Sequence, residues 1–247
     1  MKNVLLITFV LFSVFGCQNN RNEKSQDINR DNLTQKEIDS VLDKINFTYH
    51  HPVVIDSSDI IMIPIGTEIQ RGKIKYRYDS ESYDKYNYSK YWNFTFNNTA
   101  TQTTNLLTTK KSYITDYLAN KKEVGKVASS SIFYEIADID YNNDDLLNYE
   151  DPQHLFISNN DGSNLIRLSP KNEDLLNWTI IAHTDQVIIN TKRDTNNDSK
   201  FDHKDAEIFY LLDLKTPEII SEIINSENRN TIEQLYFDSW LSTKTTK

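Results

Sequence analysis

The chain has 247 residues and a formal net charge of −9 at neutral pH, with 27 Lys and Arg against 36 Asp and Glu. That balance argues against nucleic acid or an anionic lipid surface as the main partner, because both are held through basic patches. A single cysteine excludes a disulfide within the chain, and five glycines leave Asn, Asp and Ser to fill most turn positions.

Residues 1–16 read as a processing signal. Lys2 supplies a short positive start, and Val4 to Phe15 an apolar run too short to span a bilayer but suited to a signal core. The run ends in Val14-Phe15-Gly16-Cys17. These residues resemble the bacterial lipobox, although Phe15 stands where that motif prefers a small residue. The resemblance implies cleavage before Cys17, lipidation of Cys17, and a cell-envelope protein held to the membrane by its N-terminal lipid. Loss of Lys2 leaves 26 basic and 36 acidic residues, a net charge of −10. Residues 17–32 are polar, with no aromatic, and read as a flexible tether. Thr34-Gln35-Lys36-Glu37 has capping-box spacing and predicts a short helix within 33–46, with Ile38, Val41, Leu42 and Ile45 on one face.

Residues 47–224 are expected to be mainly β. Short runs rich in Ile, Val, Tyr and Phe, bounded by Asn, Asp, Ser and Pro, mark the strands. They group into three units of four. The first unit has strands near Val53–Ile55, Ile60–Ile65, Trp92–Phe96 and Thr103–Leu107. The second has them near Tyr113–Tyr117, Ile132–Ala137, His154–Ser158 and Asn164–Leu168. The third has them near Trp178–Ala182, Gln186–Lys192, Glu207–Asp213 and Glu218–Ser221. A shift of 54 lays the second unit on the third: Asp140 on Asp194, Asn142 on Asn196, Asp144 on Asp198, Asp151 on Asp205 and Phe156 on Tyr210. These repeats resemble blades of TolB-type β-propellers, which implies blade-like antiparallel sheets in a propeller-like or open β assembly. Residues 225–247 predict a C-terminal helix and tail, with Ile232, Leu235, Tyr236 and Trp240 on one stripe that could cover a sheet edge.

The chemistry concentrates in two stretches of twelve residues, 140–151 and 194–205. Calcium is a hard cation that takes six to eight oxygens, and the EF-hand loop supplies them from positions 1, 3, 5, 7, 9 and 12. The first stretch offers Asp140, Asn142, Asp144, the carbonyl of Leu146, Asn148 and Asp151. The second offers Asp194, Asn196, Asp198, the carbonyl of Lys200, Asp202 and Asp205. Position 8 is apolar in both, Leu147 and Phe201. Aspartate at position 12 resembles dockerin-type loops. Position 6, where the EF-hand places glycine at φ > 0, holds Asp145 and Ser199. Such a conformation costs either residue on the order of 1 kcal/mol, so two calcium ions of modest affinity are expected. Strand-like flanks place each loop between the second and third strands of its unit, and they argue against a calmodulin-like switch.

A second stretch, 76–92, is rich in tyrosine. Tyr83, Tyr86, Tyr88, Tyr91 and Trp92 could form an aromatic surface for a glycan or peptide, or could pack between strands. No phosphate loop, zinc signature or Gly-x-Ser-x-Gly elbow is present. The sequence therefore points to a non-catalytic binding or scaffold module with structural calcium. A glycan- or peptide-binding lipoprotein is the alternative, and a carboxylate-dependent hydrolase ranks last, since its paired acids have no short motif. Replacing Cys17 with Ser is expected to abolish incorporation of labelled palmitate and to release the protein from the membrane fraction. Undiminished labelling of C17S would refute lipidation at this position.

Overall fold

A computed structural model describes residues 34–43, 45–69, 91–144, 147–217 and 220–241. Cys17, Tyr83, Tyr86, Tyr88, Asp145 and Leu146 lie outside the described residues. The described chain begins at the capping box, where Glu37 accepts from the Thr34 N–H at 2.9 Å and α1 (Gln35–Leu42) follows. The helix stops short of Ile45. That residue opens an unexpected strand, β1 (Ile45–Tyr49), and the predicted helical span 33–46 is shortened accordingly.

Three antiparallel sheets follow one another along the chain. The first contains β1, β2 (Val53–Val54), β3 (Ile60–Ile69), β4 (Asn93–Asn98) and β5 (Thr103–Leu106). β3 is long enough to carry two partners on one edge: β2 pairs at Val53↔Met62, and β1 pairs further on, at Tyr49↔Ile65. The second sheet is the meander β6 (Tyr113–Leu118), β7 (Ser131–Ala137), β8 (His154–Asn159) and β9 (Ile166–Arg167). The third is the meander β10 (Glu173–Ile180), β11 (Gln186–Arg193), β12 (Ala206–Asp213) and β13 (Ile220–Glu222). Among the described residues these sheets close into neither a barrel nor a propeller. The predicted units of four are thus present, with β1 added to the first and β10 starting at Glu173 rather than Trp178. β10 carries a bulge between Leu175 and Asn177.

Side-chain alternation explains how the sheets stack. On β7, Ile132, Tyr134 and Ile136 face a core shared with Met62, Phe94 and Phe96 of the first sheet. Phe133, between them, points the other way into a second core with Leu155, Ile157, Val187, Ile189, Ile208 and Leu212. The second sheet is therefore apolar on both faces and packs between the other two. Aromatic contacts knit both cores. Phe94 meets Tyr134 at 5.5 Å, and Phe133 stacks on Trp178 at 4.9 Å with rings 19° apart. The Trp178 indole N–H donates to Glu135 Oε1 at 2.9 Å, so the polar end of this half-buried ring is satisfied.

Two of the connections between the sheets depend on glycine. α2 (Lys126–Ser129) has no cap from its own N-cap residue, Gly125. Asp185, from the β10–β11 turn, accepts instead from the Val127 and Ala128 N–H groups at 2.8 and 3.0 Å. Gly125 permits this approach, since a Cβ there would lie 2.1 Å from Asp185 Oδ1. The β8–β9 turn uses Gly162 at φ +79°, packed against the Phe96 ring of the first sheet. After β13 the chain forms α3 (Ser226–Tyr236), capped by Asn225, and a π-helical turn Phe237–Leu241. Neither buries any residue, and Ile232, Leu235, Tyr236 and Trp240 are all exposed. The expected covering of a sheet edge by this stripe is therefore not what the helix does. Truncating Phe133 to Ala is expected to destabilise the protein by about 3–5 kcal/mol, by emptying the side of the second core under Trp178. Urea unfolding followed by Trp178 fluorescence would measure the loss.

Candidate functional site

The two acidic loops emerge from equivalent places, 140–151 between β7 and β8 and 194–205 between β11 and β12. Each is shaped by its own side chains. In the first, the Asp144 N–H donates to Asp140 Oδ1 at 3.2 Å and to Asn142 Oδ1 at 3.0 Å. Asp151 closes the loop by accepting from the Tyr141 and Asn148 N–H groups, both at 2.9 Å. In the second, the Asp198 N–H donates to Asp194 Oδ1 at 3.3 Å and to Asn196 Oδ1 at 2.9 Å. Asp205 accepts from the Thr195 N–H at 3.0 Å and the Asp202 N–H at 2.9 Å. Asn148 and Asp202 each accept from the N–H two residues on, at 2.7 and 2.8 Å. The bonds thus repeat position by position under the 54-residue shift read from the sequence.

Backbone geometry repeats as well. Asn143 and Asn197, at position 4, have φ of 58° and 59°. Ser199, at position 6, has φ 61°, the left-handed conformation the missing glycine would favour. Its N–H donates to Asp194 Oδ2 at 3.0 Å, and the Lys200 N–H donates to Asp198 Oδ1 at 3.0 Å. These bonds repay part of the left-handed strain, on the order of 1 kcal/mol.

The closing carboxylates are both buried but differ electrostatically. Burial pushes the Asp151 carboxyl above its usual range. The Asn148 and Tyr141 N–H groups oppose the shift, and Asp140 and Asp144 add to it. The N–H groups of Asp202 and Thr195 hold the Asp205 carboxyl below its usual range, with help from the Thr195 hydroxyl and Lys192.

Beneath each loop lies a charged cluster that sequence reasoning missed. Under the first, the fully buried His154 sits with Nδ1 2.9 Å from Asp138 Oδ1 and Nε2 2.9 Å from the Lys171 carbonyl. Arg167 pairs with the other oxygen of Asp138. Burial raises the Asp138 carboxyl, but the contacts with His154 and Arg167 outweigh it and hold the group below its usual range. Under the second, buried Glu173 accepts from the Thr191 hydroxyl at 2.5 Å, Arg193 Nε at 2.6 Å and the Tyr210 hydroxyl at 2.8 Å. Arg193 also bonds Glu222 at 3.0 Å. These partners meet only through cross-strand register, and short sequence motifs carry no signal for them. An open cavity of about 410 Å³ lies beside the second cluster, lined by Tyr141, Lys171, Glu173, Arg193, Asp194 and Asn197 among others.

The donor set fits a hard cation in its chemistry. Each loop brings Asp and Asn oxygens into one turn, and a carboxylate oxygen that accepts one N–H retains a further lone pair. The repulsion from Asp140 and Asp144, which adds to the effect of burial on Asp151, is what a divalent ion between the three carboxylates would relieve. Among the described residues, however, no group of three or more His, Cys, Asp or Glu side chains is gathered as a metal site. Of the aromatic candidates, Tyr91 is buried in the first core, whereas Trp92 is exposed and meets exposed Phe47 at 5.4 Å.

No protein-family model matches the chain, and no curated protein is detectably similar to it in sequence. Among the described residues, no helix is long and apolar enough to cross a membrane.

The lowered carboxyls make stability fall in acid, and the raised Asp151 and Asp174 carboxyls oppose that fall. Asp138 and Asp205 contribute stability that is complete above their unfolded pKa values, near 4, and is lost as pH falls through their lower folded values. Urea midpoints without calcium are expected to drop steeply below about pH 4, and Asp205→Asn to make that drop shallower. An unchanged slope in the variant would remove Asp205 from the account.

Proposed function

We propose that this protein is a non-catalytic, lipid-anchored module of the bacterial cell envelope, whose β body is fixed by two structural calcium ions. In this reading the three sheets are blade-like units of an open, propeller-like assembly, tethered through Cys17, and each loop binds one ion. The observation that carries it is the repeated loop skeleton. Two connections, each between the second and third strands of its sheet, share ligand types and internal hydrogen bonds at corresponding positions, together with φ > 0 at position 4. Each ion would neutralise an acidic turn and pin a long hairpin connection to its sheet, which adds stability by mass action.

The ligands follow from the positions. Side-chain oxygens come from Asp140, Asn142, Asp144, Asn148 and Asp151 in one loop, and from Asp194, Asn196, Asp198, Asp202 and Asp205 in the other. The left-handed conformation at Ser199 supports a modest affinity, toward the extracellular range of roughly 10⁻⁴ M. Exposed Phe47, Tyr49 and Trp92 on the first sheet favour a second reading, in which an aromatic surface there receives a glycan or peptide.

Isothermal titration at millimolar calcium is expected to show two bound ions and a thermal midpoint that rises with calcium. Asp205→Asn should remove one ion and leave the other. Absence of binding to the folded protein would end the calcium reading.

A further inference from the structure

We propose that Tyr141 couples the two acidic loops, so that an ion in one strengthens binding in the other. The proposal rests on the calcium reading above and extends it to the regulation of the same sites. Tyr141 belongs to both loops. Its backbone N–H donates to Asp151 Oδ1 at 2.9 Å, within its own loop. Its side chain reaches across to the other loop. The ring lies 5.1 Å from the Phe201 ring at an interplanar angle of 41°, and the hydroxyl donates to Asp194 Oδ2 at 3.4 Å. Asp151 is position 12 of one loop and Asp194 is position 1 of the other.

The loops belong to different sheets, and among the described residues no strand pairing joins those sheets. A backbone bond from the Leu175 N–H to the Gln153 carbonyl, at 2.9 Å, joins the sheets below the loops, and Tyr141 supplies a direct side-chain contact between the loops themselves. An ion in the first loop holds Asp151, and Asp151 holds the peptide at Tyr141. With that peptide fixed, the ring and hydroxyl present a fixed surface to Phe201 and Asp194. The second ion then has less of its loop left to order, and it binds more tightly. Linkage makes the effect reciprocal. The second loop has no counterpart of this side chain, because its position 2 is Thr195, which turns back onto its own Asp205. The proposed coupling is therefore carried by the Tyr141 side chain, and it can be removed without touching a ligand.

Calcium titrations of the full chain test this. In the intact protein the two ions are expected to bind with positive cooperativity. Asp151→Asn, which disables the first loop, is expected to weaken the second by about fivefold or more. Tyr141→Ala is expected to leave two independent sites, and adding Asp151→Asn to it should then leave the second loop unchanged. Tyr141→Phe keeps the ring and loses the hydroxyl, and it is expected to retain part of the cooperativity, which separates the two contacts. Phe201→Ala removes the ring contact from the opposite side and is expected to reduce the cooperativity should Tyr141→Ala fail to fold. Two ions bound independently by the intact chain would overturn the coupling and leave the calcium reading standing. No calcium bound at millimolar concentration would overturn both.

Discussion

The second sheet has no face left for water, and most of the architecture answers to that constraint. β7 places Ile132, Tyr134 and Ile136 on one side and Phe133 on the other, and both sides are buried. A sheet apolar on both faces cannot be stable alone, so the first and third sheets are required as covers. Stacking also brings the β7–β8 and β11–β12 connections to neighbouring positions, which is how Tyr141 comes within reach of Phe201. The acidic loops can be irregular because the strands below them are fixed.

The loops are anchored from beneath by charged clusters built on two buried groups, Glu173 and His154. Glu173 is buried with Arg193, Thr191 and Tyr210 around it, and Arg193 is the residue that precedes Asp194. Asp138, two residues before Asp140, is held by His154 and Arg167. Pairs of this kind contribute little net stability, because solvent at Arg193 and Arg167 screens the attraction. Their effect here is positional: they set where each loop leaves its sheet. Within the loops, Asp and Asn oxygens already hold backbone N–H groups, so the turns have a defined shape before any cation is considered.

The parts legible in the sequence were those governed by local chemistry. Alternating Ile, Tyr and Phe located most strands to within a few residues, and the 54-residue shift located both loops between the correct strands. The bend at Ser199 followed from the missing glycine. Features that depend on distant partners were not legible. Ile45 fits a helical stripe but is taken into β1 because β3 runs on past Ile65 and needs an edge partner. Tyr91 and Trp92 are indistinguishable by composition, yet one is core and the other surface. The stripe on α3 is amphipathic in sequence, but a stripe does not say what it meets, and here its side chains stay exposed, with Tyr236 stacked on Trp240.

Strand order carries a consequence for how the protein reaches this state. In the second and third sheets every strand pairs with its neighbour in the chain, so each sheet can zip from hairpins with short loops to close. Low contact order of this kind favours fast folding for a β protein. Docking is a different matter, because the middle meander exposes two apolar faces until both flanking sheets arrive. The slow and aggregation-sensitive moment in the life of this chain is therefore the wait of a finished central sheet for its second cover, and its duration is set by synthesis of the residues after Ser169.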